Sequence, residues 1–172
     1  AMYYLAEALY EKGDQGATRT YFGQIVQNGN AGGKYYQPSL DRLVEIAIKN
    51  KDVDASTYVS TLAGLSPAIR QPAVPYVLGK YSYSQDKYDD ALAHFAEVPK
   101  GSDYELQALY FSGTTYVAKK DLAKATEVFT DLIGRKPRTA IDRRVIELSQ
   151  LALGRLYYER EEPSKAIDAY LL

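Results

Sequence analysis

Residues 106–139 read LQALYFSGTTYVAKKDLAKATEVFTDLIGRKPRT, and two helical patterns lie there back to back. In the first, Leu109, Gly113 and Tyr116 fall on one face at spacings of four and three. In the second, Ala125, Phe129 and Leu132 repeat that spacing, and Pro137 closes the unit. Period-3.6 apolar stripes mark amphipathic helices, and the small residues Gly113 and Ala125 let the two stripes approach closely. Neither stripe is wide enough to make a core alone, so the unit needs copies of itself on both sides.

Copies are present at imperfect intervals. Ala6, Val44, Gly79, Gly113 and Gly154 occupy one mid-helix position, at successive intervals of 38, 35, 34 and 41. In the last three units an alanine follows the glycine at one constant offset (79 to 91, 113 to 125, 154 to 166). An aromatic ring stands one helical turn after that alanine, as Phe95, Phe129 and Tyr170. No period-2 alternation competes. The spacing predicts five helix pairs, over about 1–34, 35–71, 72–105, 106–146 and 147–172. Gly13-Asp14 and Lys51-Asp52 make the turns in the first two, and a helix is expected over Ala55 to Leu65. Pro72 and Pro75 suit the first turn of a helix rather than its interior. Excess length near 28–34 and 138–144 predicts longer helices or loops there. Because the chain opens and closes inside helical patterns, it reads as a piece of a longer protein, with self-association expected through Leu171 and Leu172.

The pattern resembles the tetratricopeptide repeat family, a 34-residue helix–turn–helix with apolar, Gly, aromatic, Ala, Phe and Pro positions in order. Residues 106–139 carry Leu109, Gly113, Tyr116, Ala125, Phe129 and Pro137, and residues 147–172 carry Leu153, Gly154, Tyr157, Ala166 and Tyr170. Residues 72–105 keep Leu78, Gly79, Ala91 and Phe95 but place Ser82 where the first helix's aromatic belongs. The first two units are degenerate, retaining Ala6 and Phe22 in one and showing Val44 and Ser56 in the other. The resemblance implies an all-α solenoid of stacked antiparallel helix pairs forming a right-handed superhelix.

Composition narrows the functional classes. The 172 residues carry 21 Lys plus Arg against 22 Asp plus Glu, a net charge of -1, without the basic excess of a dedicated nucleic-acid binder. Cysteine is absent, which excludes disulfides, thiolate metal sites and cysteine nucleophiles. His94 is the single histidine and has no second ligand type at helical spacing, so neither a metal site nor a Ser–His–acid set is expected. The stretch Gly29-Asn30-Ala31-Gly32-Gly33-Lys34 fails as a phosphate loop, because Asn28 and Tyr35 stand where Gly and a hydroxyl residue are needed. Asp86, Asp89 and Asp90, and Glu159, Glu161 and Glu162, sit at turns and first helical turns, where acids complement the helix N-terminus. No run approaches the roughly 18 apolar residues of a spanning helix. No catalytic residue, cofactor or metal is assigned, and the chain is read as non-enzymatic.

Tyrosine stands out, at 17 residues against 4 Phe and no Trp, and it suits half-buried grooves because one end is apolar and the other polar. In stacked helix pairs the first helices line the inner surface. By the resemblance, the residues facing that surface are Tyr76, Lys80 and Tyr83, then Tyr110 and Thr114, then Arg155 and Tyr158. Aromatics mixed with cations are interface-type residues, so a protein or peptide partner is expected there. The alternative is a structural spacer or assembly module of a larger envelope protein or enzyme, lacking a groove of its own. Arg135, Lys136, Arg138, Arg143 and Arg144 form a local basic cluster, read as a solvated loop with helix C-terminal cations in preference to a seat for acidic groups.

Overall fold

The computed structural model describes residues 1–52 and 54–171, and among them every regular element is an α-helix. The ten helices are α1 (Met2–Glu11), α2 (Gln15–Asn28), α3 (Tyr36–Asn50), α4 (Ala55–Ala63), α5 (Ala73–Ser84), α6 (Tyr88–Ala96), α7 (Glu105–Ala118), α8 (Leu122–Ile133), α9 (Ala140–Glu159) and α10 (Pro163–Leu171). They associate in antiparallel pairs in chain order. Each second helix also packs on the first helix of the next pair, and α3, α5, α7 and α9 touch in succession. The chain is therefore a helical-repeat stack with its first helices on one side.

One turn closes all five pairs. Seven positions after the seam residue the backbone enters the left-handed region, at Gly13, Lys51, Asp86, Lys120 and Glu161. The next residue's amide then reaches back to a carbonyl five positions earlier. These bonds are Asp14 to Leu9, Asp52 to Ala47, Lys87 to Ser82, Asp121 to Tyr116 and Glu162 to Tyr157, each 2.9–3.0 Å. This six-to-one bond caps the carbonyls at a helix C-terminus. In two turns the following aspartate also begins the second helix: Asp14 accepts from the Ala17 amide and Asp121 from the Lys124 amide. Four of the five left-handed positions carry a side chain, which costs roughly 1–2 kcal/mol relative to glycine. Lys120→Gly should therefore raise stability by about 1 kcal/mol, read from urea midpoints.

The seams explain the glycines. A Cβ built on Gly79 would lie 2.4 Å from Phe95, one on Gly113 2.6 Å from Phe129, and one on Gly154 2.4 Å from Tyr170. In each case a ring from the second helix lies directly on the glycine. The first pair makes the same seam with Ala6 and Phe22, both fully buried. In the second pair the bulk sits on the first helix instead: Val44 is fully buried, whereas Ser60, at the ring's place, is exposed.

Where the interval between seams is longest, the reasons are visible. After α2, residues 29–35 form a loop held by Gln37, which is almost fully buried. Its amide group donates to Ala31 O (3.0 Å) and Ile69 O (2.7 Å), and its oxygen accepts from the Gln71 amide (2.8 Å). Near 138–144 the excess becomes helix: α9 has 20 residues and starts with a Thr139–Asp142 capping box. Helix α4 stops at Ala63, two positions short of the expected Leu65. At the far end Tyr170 and Leu171 are 51% and 80% exposed, while Leu172 lies outside the described residues.

Candidate functional site

The first-helix face divides into two parts. Around α7 it forms an open groove of about 580 Å³, walled by α5 at Tyr83, by α7 at Tyr110, Thr114 and Val117, and by α9 at Leu151 and Arg155. Phe129 of α8 closes the floor, seated on Gly113. The Tyr110 ring lies 5.9 Å from the Phe129 ring and 5.9 Å from Phe111, nearly perpendicular to the latter. These contacts fix Tyr110 as a rigid wall, and burial lifts its hydroxyl above the usual tyrosine range, with the Tyr83 phenol adding to the effect. Thr114 donates its hydroxyl to Phe111 O at 2.8 Å and so offers the groove little polarity. On the rim Leu151 is 56% exposed, and the exposed Arg155 side chain meets Glu159 at 2.9 Å.

Four of the seven sequence-predicted residues therefore meet at one groove: Tyr83, Tyr110, Thr114 and Arg155. Tyr158 does not join them. It is 72% exposed and borders a separate depression with Glu161 and Pro163. Tyr76 is only 6% exposed and packs among Phe95, Tyr104 and Phe111, so it is a core ring rather than a groove anchor. Burial, reinforced by Glu45, raises its hydroxyl far above the ordinary tyrosine value. Lys80 is occupied as well: its ammonium bonds Glu45 at 2.7 Å and lies over the Tyr76 and Phe111 rings.

Lys80 belongs to the second part of the face, a ladder of charges across the first three pairs that the sequence pattern does not reveal. Arg42 holds both oxygens of Glu7, at 2.9 and 3.0 Å, and Glu45 at 2.8 Å. Its guanidinium also stacks over Tyr10. Asp41, beside Arg42 in the chain, is buried, and its Oδ1 has no hydrogen-bond partner among the described residues. Its carboxyl is pushed up to about 7, chiefly by burial and then by Glu45, against the pull of Arg42 and Lys80. The signal that could have found this ladder is positional. The residue after each seam position is Glu7, Glu45, Lys80, Thr114 and Arg155, and three positions before the seam stand Tyr3, Asp41, Tyr76, Tyr110 and Leu151.

Other candidates resolve into structure. Arg138 donates to Gly101 O and Ser102 O, both at 2.7 Å, pinning the loop before α7. Arg135 pairs with Asp131 at 2.8 Å. Among the described residues no group of acids and histidine is placed to hold a metal ion, and no helix is long and apolar enough to cross a membrane.

The fold defines a helical-repeat protein. A tetratricopeptide repeat family model matches residues 1–28, which comprise the α1–α2 pair, and the later helix pairs continue the same helical-repeat stack. The matched unit is one that residue types alone left degenerate. No curated protein matches the chain. Repeats of this family serve generally as protein–protein interaction modules.

Proposed function

We propose that the chain is a non-enzymatic scaffold that seats an extended or helical segment of a partner protein in the groove between α5, α7 and α9. One observation carries this reading: four residues chosen from sequence for interaction chemistry surround a single open groove with an aromatic floor and a charged rim. Tyrosine and arginine walls around an apolar floor are the composition of interface hot spots.

The test uses Leu151→Asp with Arg155→Glu, two exposed rim positions whose replacement leaves the seams intact. Proteins captured from the source cells by wild type are identified, and the affinity of each purified partner is measured for both forms. Introducing two mismatched negative charges at an interface commonly costs several kcal/mol, so binding should weaken ~30-fold or more at unchanged thermal midpoint. Equal affinity would remove the groove as the seat and favour the spacer reading.

A further inference from the structure

At the opposite part of the face, we propose that the cleft between α3, α5 and the loop before α7 receives a lysine side chain of a partner protein, with Asp41 as its buried counter-ion. The cleft holds about 400 Å³ and is lined by Asp41, Gln71, Gly101, Ser102, Asp103 and Tyr104, among others, with two carboxylates and no basic side chain. Asp41 also borders a second, smaller hollow of about 90 Å³ on the other side, shared with Tyr3, Arg42, Glu45 and Tyr104.

Charge accounting leaves one place open. Arg42 is engaged by Glu7 and Glu45, and Lys80 by Glu45, so the cations of the ladder already have partners. Three acids, Glu7, Asp41 and Glu45, share these two cations, and Asp41 is the one left over. Its Oδ1 accepts no hydrogen bond among the described residues, although the side chain is more than nine-tenths buried. A buried unpaired carboxylate is costly, and an incoming ammonium supplies both the missing charge and the missing donor. Asp103 at the cleft mouth adds attraction, and the Tyr104 ring offers a face to the cation. A lysine chain reaches such a site because its slender stem carries the charge inward.

Binding should also depend on pH. The groups around Asp41 are Tyr3 from α1, Arg42 and Glu45 from α3, Tyr76 and Lys80 from α5, and Asp103 and Tyr104 before α7. With the Asp41 carboxyl raised to about 7, proton and ammonium compete for it. Below that midpoint, affinity should therefore climb by up to about tenfold for each unit by which pH is raised. The inference depends on the partner-binding reading only in taking the cation from a protein.

The experiment follows the Asp41 carboxyl carbon by NMR on the whole 172-residue chain, titrating pH with and without a capped Gly-Gly-Lys-Gly-Gly peptide. The expected result is a downward shift of the Asp41 midpoint by half a pH unit or more, with amide shifts at Gly101 and Tyr104. Asp41→Asn should abolish peptide binding, and Asp103→Asn should weaken it severalfold. An unmoved midpoint, an equal effect from sodium chloride at the same ionic strength, or undiminished binding by Asp41→Asn would overturn the site. Methylammonium binding as tightly as the peptide would overturn the assignment to a protein-borne lysine. The Leu151→Asp, Arg155→Glu form should give the wild-type titration, so failure of the groove and failure of this cleft are told apart.

Discussion

Gly113→Leu should destabilise the chain by ~1–3 kcal/mol, whereas Gly23→Ala should stabilise it by ~0.5–1 kcal/mol. Both glycines lie inside helices, so propensity alone predicts a gain at each. Packing decides otherwise at Gly113. A Cβ there would sit 2.6 Å from Cε1 and 2.7 Å from Cζ of Phe129, a fully buried ring. That ring also meets Tyr110, at 5.9 Å between centroids, so displacing it would disturb the groove wall. At Gly23 nothing lies within 4 Å of the added carbon, and only the lower entropy of the unfolded chain is felt. Urea midpoints of the two variants should move in opposite directions. A Gly113→Leu midpoint equal to wild type would show that Phe129 does not depend on the bare backbone of α7.

The seam is legible in the sequence because its chemistry is specific. A glycine with a ring at a constant offset in the following helix fixes both helices and their closest approach. This pairing recurs as Gly79 with Phe95, Gly113 with Phe129 and Gly154 with Tyr170. The turns are legible only in part, at Gly13-Asp14 and Lys51-Asp52, although they are more regular than the seams. The same left-handed residue and the same back-bond close all five pairs, on Gly, Lys, Asp, Lys and Glu. A backbone hydrogen bond sets that conformation, so residue type carries almost no signal of it. With residue type set aside, the offset of seven from Ala6 and Val44 restores the two degenerate units to the series.

Tyr76 shows why the candidate site is readable only in part. The same residue type returns one repeat later at Tyr110, so periodicity puts both on the inner face. Yet Tyr76 is overlain by Tyr104, which stands in the loop before α7, and is buried, while Tyr110 borders the open groove. Periodicity assigns a face, and the covering of that face by a neighbouring loop is a tertiary fact. Tyr158 carries the same lesson in reverse, since no neighbouring wall covers it on the last described pair. The charge ladder escapes a sequence reading because ions are most readily paired at three and four positions along one helix. Here Glu7 meets Arg42, and Glu45 meets Lys80, so each bond joins one repeat to the next.

That ladder gives the largest expected effect. Asp41→Asn should stabilise the chain, and the gain should grow with pH. For a carboxyl whose folded value is raised, the unfolded chain releases its proton first. Between the two values the native state binds the extra proton, so stability falls as pH rises. Burial, then Glu45, raises Asp41 from 3.8 to about 7. At about 1.36 kcal/mol for each pH unit, full ionisation of the native side chain corresponds to ~4 kcal/mol. Asparagine has the same shape and no proton to lose. The variant should match wild type within ~1 kcal/mol near pH 4, diverge through pH 5 and 6, and hold a constant advantage above about pH 7. Glu45 works in the opposite direction. Its burial alone would raise it, but Lys80 and Arg42 outweigh that and keep it below the usual carboxylate range. Because Glu45 is present in both proteins, its contribution drops out of the difference to first order. The measurement is urea unfolding of both proteins from pH 4 to pH 8. A difference that does not change over that range would mean the native Asp41 is no harder to ionise than the unfolded one, and its ionisation would then impose no penalty on the fold.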